Sequence, residues 1–68
     1  MKLEEAMVYV LASAGCGLTT EQIADNINRK KLHVRKDGLP VTGRQIYTVV
    51  CRNSSMFIKE GGHIMLMI

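Results

Sequence analysis

The stretch Pro40-Val41-Thr42-Gly43-Arg44-Gln45-Ile46-Tyr47-Thr48-Val49-Val50-Cys51-Arg52-Asn53 constrains this chain more than any other. At 3.6 residues per turn, Ile46, Val49, Val50 and Asn53 fall on one side, while Arg44, Thr48 and Arg52 form an i, i+4, i+8 stripe on the other. The spacing predicts a helix over about 43–53 with one buried face and one basic face. Thr42 followed three residues later by Gln45 is a capping-box pattern, which starts the helix at Gly43 and leaves its first N–H groups pointing outward. A basic stripe beside such a terminus suits a phosphate backbone. Taken alone, the stretch fits a solvated amphipathic helix equally well, its arginines serving only solubility.

Size limits what else the chain can be. With 68 residues there is room for one domain, and a chain this short buries only about 60% of the surface its unfolded form exposes. A small core and marginal stability follow, and a large enclosed active site does not fit. The net charge of +3 is unevenly placed. In residues 1–28, Lys2 stands against Glu4, Glu5, Glu21 and Asp25, a balance of −3. In residues 29–68, Arg29, Lys30, Lys31, Arg35, Lys36, Arg44, Arg52 and Lys59 stand against Asp37 and Glu60, a balance of +6. The half that holds the predicted basic helix is the half that suits a polyanionic partner.

Cys16 and Cys51 are 35 positions apart, and neither belongs to a C-x-x-C or Cys/His ligand spacing. The expectation is two free thiols, no metal site and no cofactor, with Cys51 a small residue on the flank of its helix. The two His and two Cys form no recognisable catalytic constellation, so neither an enzyme nor a small-molecule substrate is expected. No apolar run approaches the roughly 18 residues of a membrane span, and the N-terminus lacks the basic-then-apolar order of a secretory signal. A soluble, cytoplasmic protein without membrane contact is expected.

In chain order, Leu3, Ala6, Met7, Val10, Leu11 and Ala14 repeat at helical spacing, predicting a first helix from Lys2 to Ala14 with Glu4 and Glu5 in its first turn. Val8 and Tyr9 lie off this stripe, at the core periphery. Gly15-Cys16-Gly17 breaks the helix and leaves Leu18 as a lone apolar residue. Thr19 and Gln22 then open a second helix whose buried stripe is Ile23, Ala24 and Ile27. The connector from Arg29 to Val41 carries five of the nine basic residues. Its Asp37-Gly38 pair signals a turn, with Leu32 and Val34 set against Leu39 and Val41 as a small irregular hairpin. His33 reads as a loop residue.

After the third helix, Met56–Glu60 reads as a strand, Gly61-Gly62 as a turn, and His63–Ile68 as a second strand. Phe57, the one Phe, is the expected anchor between hairpin and helices, packing with Val10, Ile23, Ile27, Ile46 and Val50. The last strand is apolar on both faces, so Met65 and Met67 or their neighbours are exposed unless covered. The expected fold class is mostly α with a small β-hairpin, in the order of a winged helix-turn-helix: three helices followed by a two-stranded wing. In that fold, Leu18 forms a one- or two-residue strand bridging to the wing. Residues 1–68 are read as a single winged-helix domain, a module of a longer protein or one that pairs with itself.

From Ile27 onward, Ile27-Asn28, Arg35-Lys36-Asp37-Gly38, Pro40-Val41, Gln45-Ile46, Phe57 and Gly62-x-Ile64 resemble the winged-helix modules of restriction-modification proteins and their HARE-type helix-turn-helix relatives. The resemblance covers about the last 40 residues. It implies DNA binding or DNA sensing, of the kind that serves bacterial defence, chromatin-associated proteins and transcription regulation.

Two functional readings follow. In the first, double-stranded DNA is the partner: Thr42, Gly43, Arg44, Gln45, Thr48 and Arg52 face bases or phosphates from the third helix, while Arg35, Lys36 and Lys59 hold flanking backbone. In the second, the apolar last strand and the Val8/Tyr9 flank dock on the remainder of a larger protein or on a second copy of the chain.

Overall fold

A computed structural model describes residues 2–67. The chain forms three helices and a three-stranded antiparallel sheet in the order α1 (Leu3–Ala14), β1 (Leu18–Thr19), α2 (Thr20–Lys30), α3 (Gly43–Arg52), β2 (Phe57–Glu60) and β3 (His63–Leu66). It is a small mixed α/β domain in which α1 packs against β3, α2 against β1 and α3 against β2. Among the described residues, no helix is long and apolar enough to cross a membrane.

Local chemistry sets each helix boundary. The Lys2 backbone N–H donates to Glu5 Oε1 at 3.1 Å, satisfying a donor ahead of the first turn of α1. Gly15, at φ 69°, ends that helix by sending its N–H back to the Leu11 carbonyl. Both expected capping boxes are present. Thr19 Oγ1 accepts from Gln22 N at 3.1 Å while Gln22 Oε1 accepts from Thr19 N, and Thr42 with Gln45 repeats the pattern at α3. The end of α2 is less ordinary. Lys31 sits in the left-handed region at φ 53°, its N–H bonded to the Asn28 carbonyl and the Leu32 N–H bonded to the Ile27 carbonyl. That is a Schellman closure made without glycine, and a strain of about 1–2 kcal/mol at Lys31 is held in place because Leu32 packs back on the core.

The core is a single cluster. Met7, Ile23, Ile27, Ile46 and Ile64 are fully buried, and Ala6, Val10, Leu11, Ala24, Val41, Val50 and Phe57 complete it. Phe57 therefore joins Val10, Ile23, Ile27, Ile46 and Val50, as its place in the sequence suggests. Val8 packs at the margin of this cluster, whereas Tyr9 is about half exposed and Ala14 lies outside it.

Leu18 forms the short bridging strand expected of it: the sheet order is β1-β3-β2, with Ile64 paired to Leu18 on one side and Lys59 on the other. Three expectations are corrected. The expected two-stranded wing thus belongs to a three-stranded sheet, and Met65 and Leu66 are half-buried. Gly17 permits this, since a Cβ there would lie 2.8 Å from Met65 Cγ. The first hairpin strand begins at Phe57 rather than Met56, and β3 ends at Leu66, while Ile68 lies outside the described residues. Finally, the connector forms no hairpin. Val41 is buried and its backbone is paired by a side chain: Asn28 Nδ2 donates to the Val41 carbonyl at 2.9 Å, and Asn28 Oδ1 accepts from Val41 N at 2.8 Å. With those groups satisfied, Leu32 and Val34 have no ladder to supply, and Val34 and Leu39 are left in water.

Phe57→Ala removes the side chain that joins the hairpin to the helices and is expected to cost about 3–5 kcal/mol, enough to unfold so small a domain. Asn28→Ala strands both polar groups of a buried residue and should cost about 1–3 kcal/mol. Lys31→Gly should instead raise stability by up to about 1 kcal/mol as the left-handed strain is relieved. Melting temperatures of the three variants check this ordering, and an unchanged Phe57→Ala transition would contradict the packing described.

Candidate nucleic-acid interface

The outward face of α3 is broader than the sequence stripe suggested. Arg44, Tyr47, Thr48, Cys51 and Arg52 are all exposed, at spacings i, i+3, i+4, i+7 and i+8, and α3 contains no acidic residue. The guanidinium groups of Arg44 and Arg52 make no hydrogen bond or ion pair among the described residues. Their positions along the helix differ by about 12 Å at roughly 1.5 Å per residue. Thr48 turns its hydroxyl inward, donating to the Arg44 carbonyl at 3.0 Å, which leaves its methyl and an oxygen lone pair on the surface.

The hairpin is tied to this face. Lys59 Nζ lies 4.4 Å from the centroid of the Tyr47 ring, a cation–π contact worth about 0.5–1 kcal/mol at an exposed site. An open hollow of about 500 Å³ lies between the first turns of α2 and α3 and the hairpin tip, lined by Thr20, Glu21, Gly43, Arg44, Tyr47, Lys59 and Gly62. The two helix starts are close because residue 43 is glycine: a Cβ there would stand 3.2 Å from Thr20 Oγ1 and 3.6 Å from Glu21 N. Glu21 is the one carboxylate lining the hollow.

The nine residues singled out by sequence therefore separate into groups. Arg44, Thr48, Arg52 and Lys59 share one exposed surface, and Lys36 is exposed on the connector. Thr42 and Gln45 have their side chains engaged in capping α3, and Gly43 is half-buried against α2. Arg35 is a structural residue. Its guanidinium binds Asp37 Oδ2 at 2.7 Å, the Pro40 carbonyl at 3.3 Å and Gln45 Oε1 at 3.4 Å, so it fastens the connector to the cap of α3. Tyr47 and Cys51 were missed by sequence reasoning, although Tyr47 lies three positions after Arg44 and the helical period already puts it on the same face. Both cysteines are free and exposed. Compared with known protein families, curated proteins and solved structures, the chain matches none.

Arg35→Ala should lower the melting temperature and sharpen amide exchange in residues 36–42, because three contacts that hold the connector disappear together. Lys36→Ala, one residue on and exposed, should leave both unchanged. Hydrogen exchange followed by NMR distinguishes the two variants, and equal behaviour would show that the Arg35 contacts carry no stability.

Proposed function

We propose that this chain is a winged-helix module that binds double-stranded DNA, with the outward face of α3 in the major groove and the β2–β3 hairpin as its wing. The order helix, bridging strand, helix, helix, hairpin supports the reading. The observation that carries it is the shared surface of Arg44, Tyr47, Thr48, Arg52 and Lys59. It holds three cations and an aromatic ring, α3 itself carries no carboxylate, and Glu21 is the one carboxylate lining the adjoining hollow. Arg44 and Arg52 have free guanidinium groups, the donors suited to guanine edges or phosphates. Lys36 and Lys59 supply backbone contacts. The restriction-modification and HARE-type resemblance points the same way.

One observation favours the second reading, an interaction module. A hollow of about 360 Å³ between the end of α1 and β3 is walled by Ala12, Gly15, Cys16, Gly17, Met65 and Leu66, with no charged side chain among them. Its occupant would be held by apolar contact and would respond weakly to salt.

Titration with duplex DNA at several salt concentrations separates the readings. Phosphate-mediated binding weakens with a log–log slope of about −0.9 per contact. Arg44→Ala should cost about 1–3 kcal/mol and relax preference at one base position if the side chain reads a guanine, or weaken all sequences alike if it holds a phosphate. Arg52→Ala should weaken binding independently. Glu21→Ala, which removes a negative charge from the hollow beside α3, should leave affinity unchanged or slightly raised. Unaltered affinity in both arginine variants would reject α3 as the DNA-contacting helix.

A further inference from the structure

Val34 and Leu39 are 73% and 59% exposed, more than any other large hydrophobic residue among those described, and both belong to the connector. Looseness does not explain their position. Asn28 pins Val41 by two hydrogen bonds, Arg35 binds Asp37, Pro40 and Gln45, Gly38 N donates to the Arg35 carbonyl at 3.1 Å, and Leu39 N donates to Asp37 Oδ1 at 3.0 Å. A segment with this many fixed bonds holds its two aliphatic side chains in water by construction, where each forgoes the gain of burial. They flank an open hollow of about 390 Å³ whose walls also include Asn28, Lys31, Gly38 and Pro40.

Lys31 lines this hollow, Lys36 lines a neighbouring one that shares Val34 with it, and Lys30 precedes Lys31 at the end of α2. Lys30, Lys31 and Lys36 have no ion-pair partner among the described residues, and the one acid of the connector, Asp37, is neutralised by Arg35. We infer that this part of the connector is a docking surface for an acidic peptide segment of another protein, with an apolar side chain of that segment seated between Val34 and Leu39 and its carboxylates facing Lys30, Lys31 and Lys36. Val34 and Leu39 lie off the outward face of α3, and the inference does not depend on the DNA reading, with which it shares only Lys36.

The alternatives fit less of the surface. Phosphates of a duplex use the lysines and leave two aliphatic side chains with nothing to contact. A second copy, docked symmetrically through the same patch, brings like charges together. An anionic bilayer gains little from two aliphatic residues with no aromatic ring beside them. A peptide that alternates acidic and apolar residues uses both halves of the chemistry.

The test is an amide-shift titration of the intact chain with a twelve-residue probe peptide alternating Glu with Leu. Matched peptides replace Leu with Ser, or Glu with Lys, and a duplex DNA runs in parallel. The Glu/Leu peptide should shift the amides of Asn28, Val34, Gly38 and Leu39. Val34→Ser with Leu39→Ser should weaken it about tenfold, the scale of two partly buried aliphatic side chains, with melting temperature and duplex affinity unchanged. The Lys/Leu peptide should not bind. Three results overturn the inference: no shift in the connector, equal binding of the Glu/Ser peptide, which would mean a plain polyanion surface, or an equal loss of duplex affinity in the double variant, which would make these residues DNA contacts.

Discussion

The two hydrogen bonds between the Asn28 side chain and the Val41 backbone decide where α3 begins. The connector leaves α2 through a strained left-handed turn at Lys31 and runs for ten residues before Thr42, with no strand or helix of its own. A segment of that kind costs conformational entropy at every fixed residue and needs a firm terminus. Asn28 supplies one by offering Val41 a donor and an acceptor in the geometry of a neighbouring strand. Val41 then enters the core, Thr42 caps the next turn, and Gly43 comes to rest against Thr20. The side of α3 that faces outward is thereby fixed from its first residue.

A second constraint acts from the sheet. β1 has only two residues, yet its pairing with β3 places the most apolar strand in the middle, with Ile64 wholly buried. The approach depends on Gly17, where a side chain would meet Met65. Lys59 and Glu60, on the outer strand, then place charge along the exposed edge, the usual protection against edge-to-edge pairing. The same placement brings Lys59 over Tyr47, so the residue that guards the edge also couples the hairpin to α3.

What the sequence reveals follows from how local each signal is. Thr19/Gln22 and Thr42/Gln45 act over three residues and give both helix starts correctly, and the stripes Ile23/Ala24/Ile27 and Ile46/Val50 follow from a single period. Leu18 was readable as a bridging strand only because the order of elements suggested one. The connector was misread because its organising bond joins residues thirteen positions apart, and Asn28 looks in sequence like any polar residue near a helix end. The partners of Arg35 are hidden for a similar reason: a loop arginine reads as a free cation until Asp37, Pro40 and Gln45 are seen around it. The face of α3 was legible in Arg44, Thr48 and Arg52. Tyr47 was not recognised because its partner, Lys59, lies twelve residues away in another element.

Charge placement gives the proposed complex an orientation. The charge is uneven along the sequence, at −3 over residues 1–28 and +6 over residues 29–68, and in the proposed complex the polyanion is drawn to the cations of the second part. The hollow beside α3 then modifies that simple attraction. A phosphate placed at the first turn of α3 gains from the helix dipole and from Arg44 but meets the Glu21 carboxylate in the same hollow. One turn and more along the helix, Thr48 and Arg52 lie outside that hollow, and α3 itself carries no acidic residue. In the proposed complex, phosphate contacts are therefore favoured toward Arg52, while Arg44, which like Lys59 lines the hollow with Glu21, is the arginine better placed to reach a base edge.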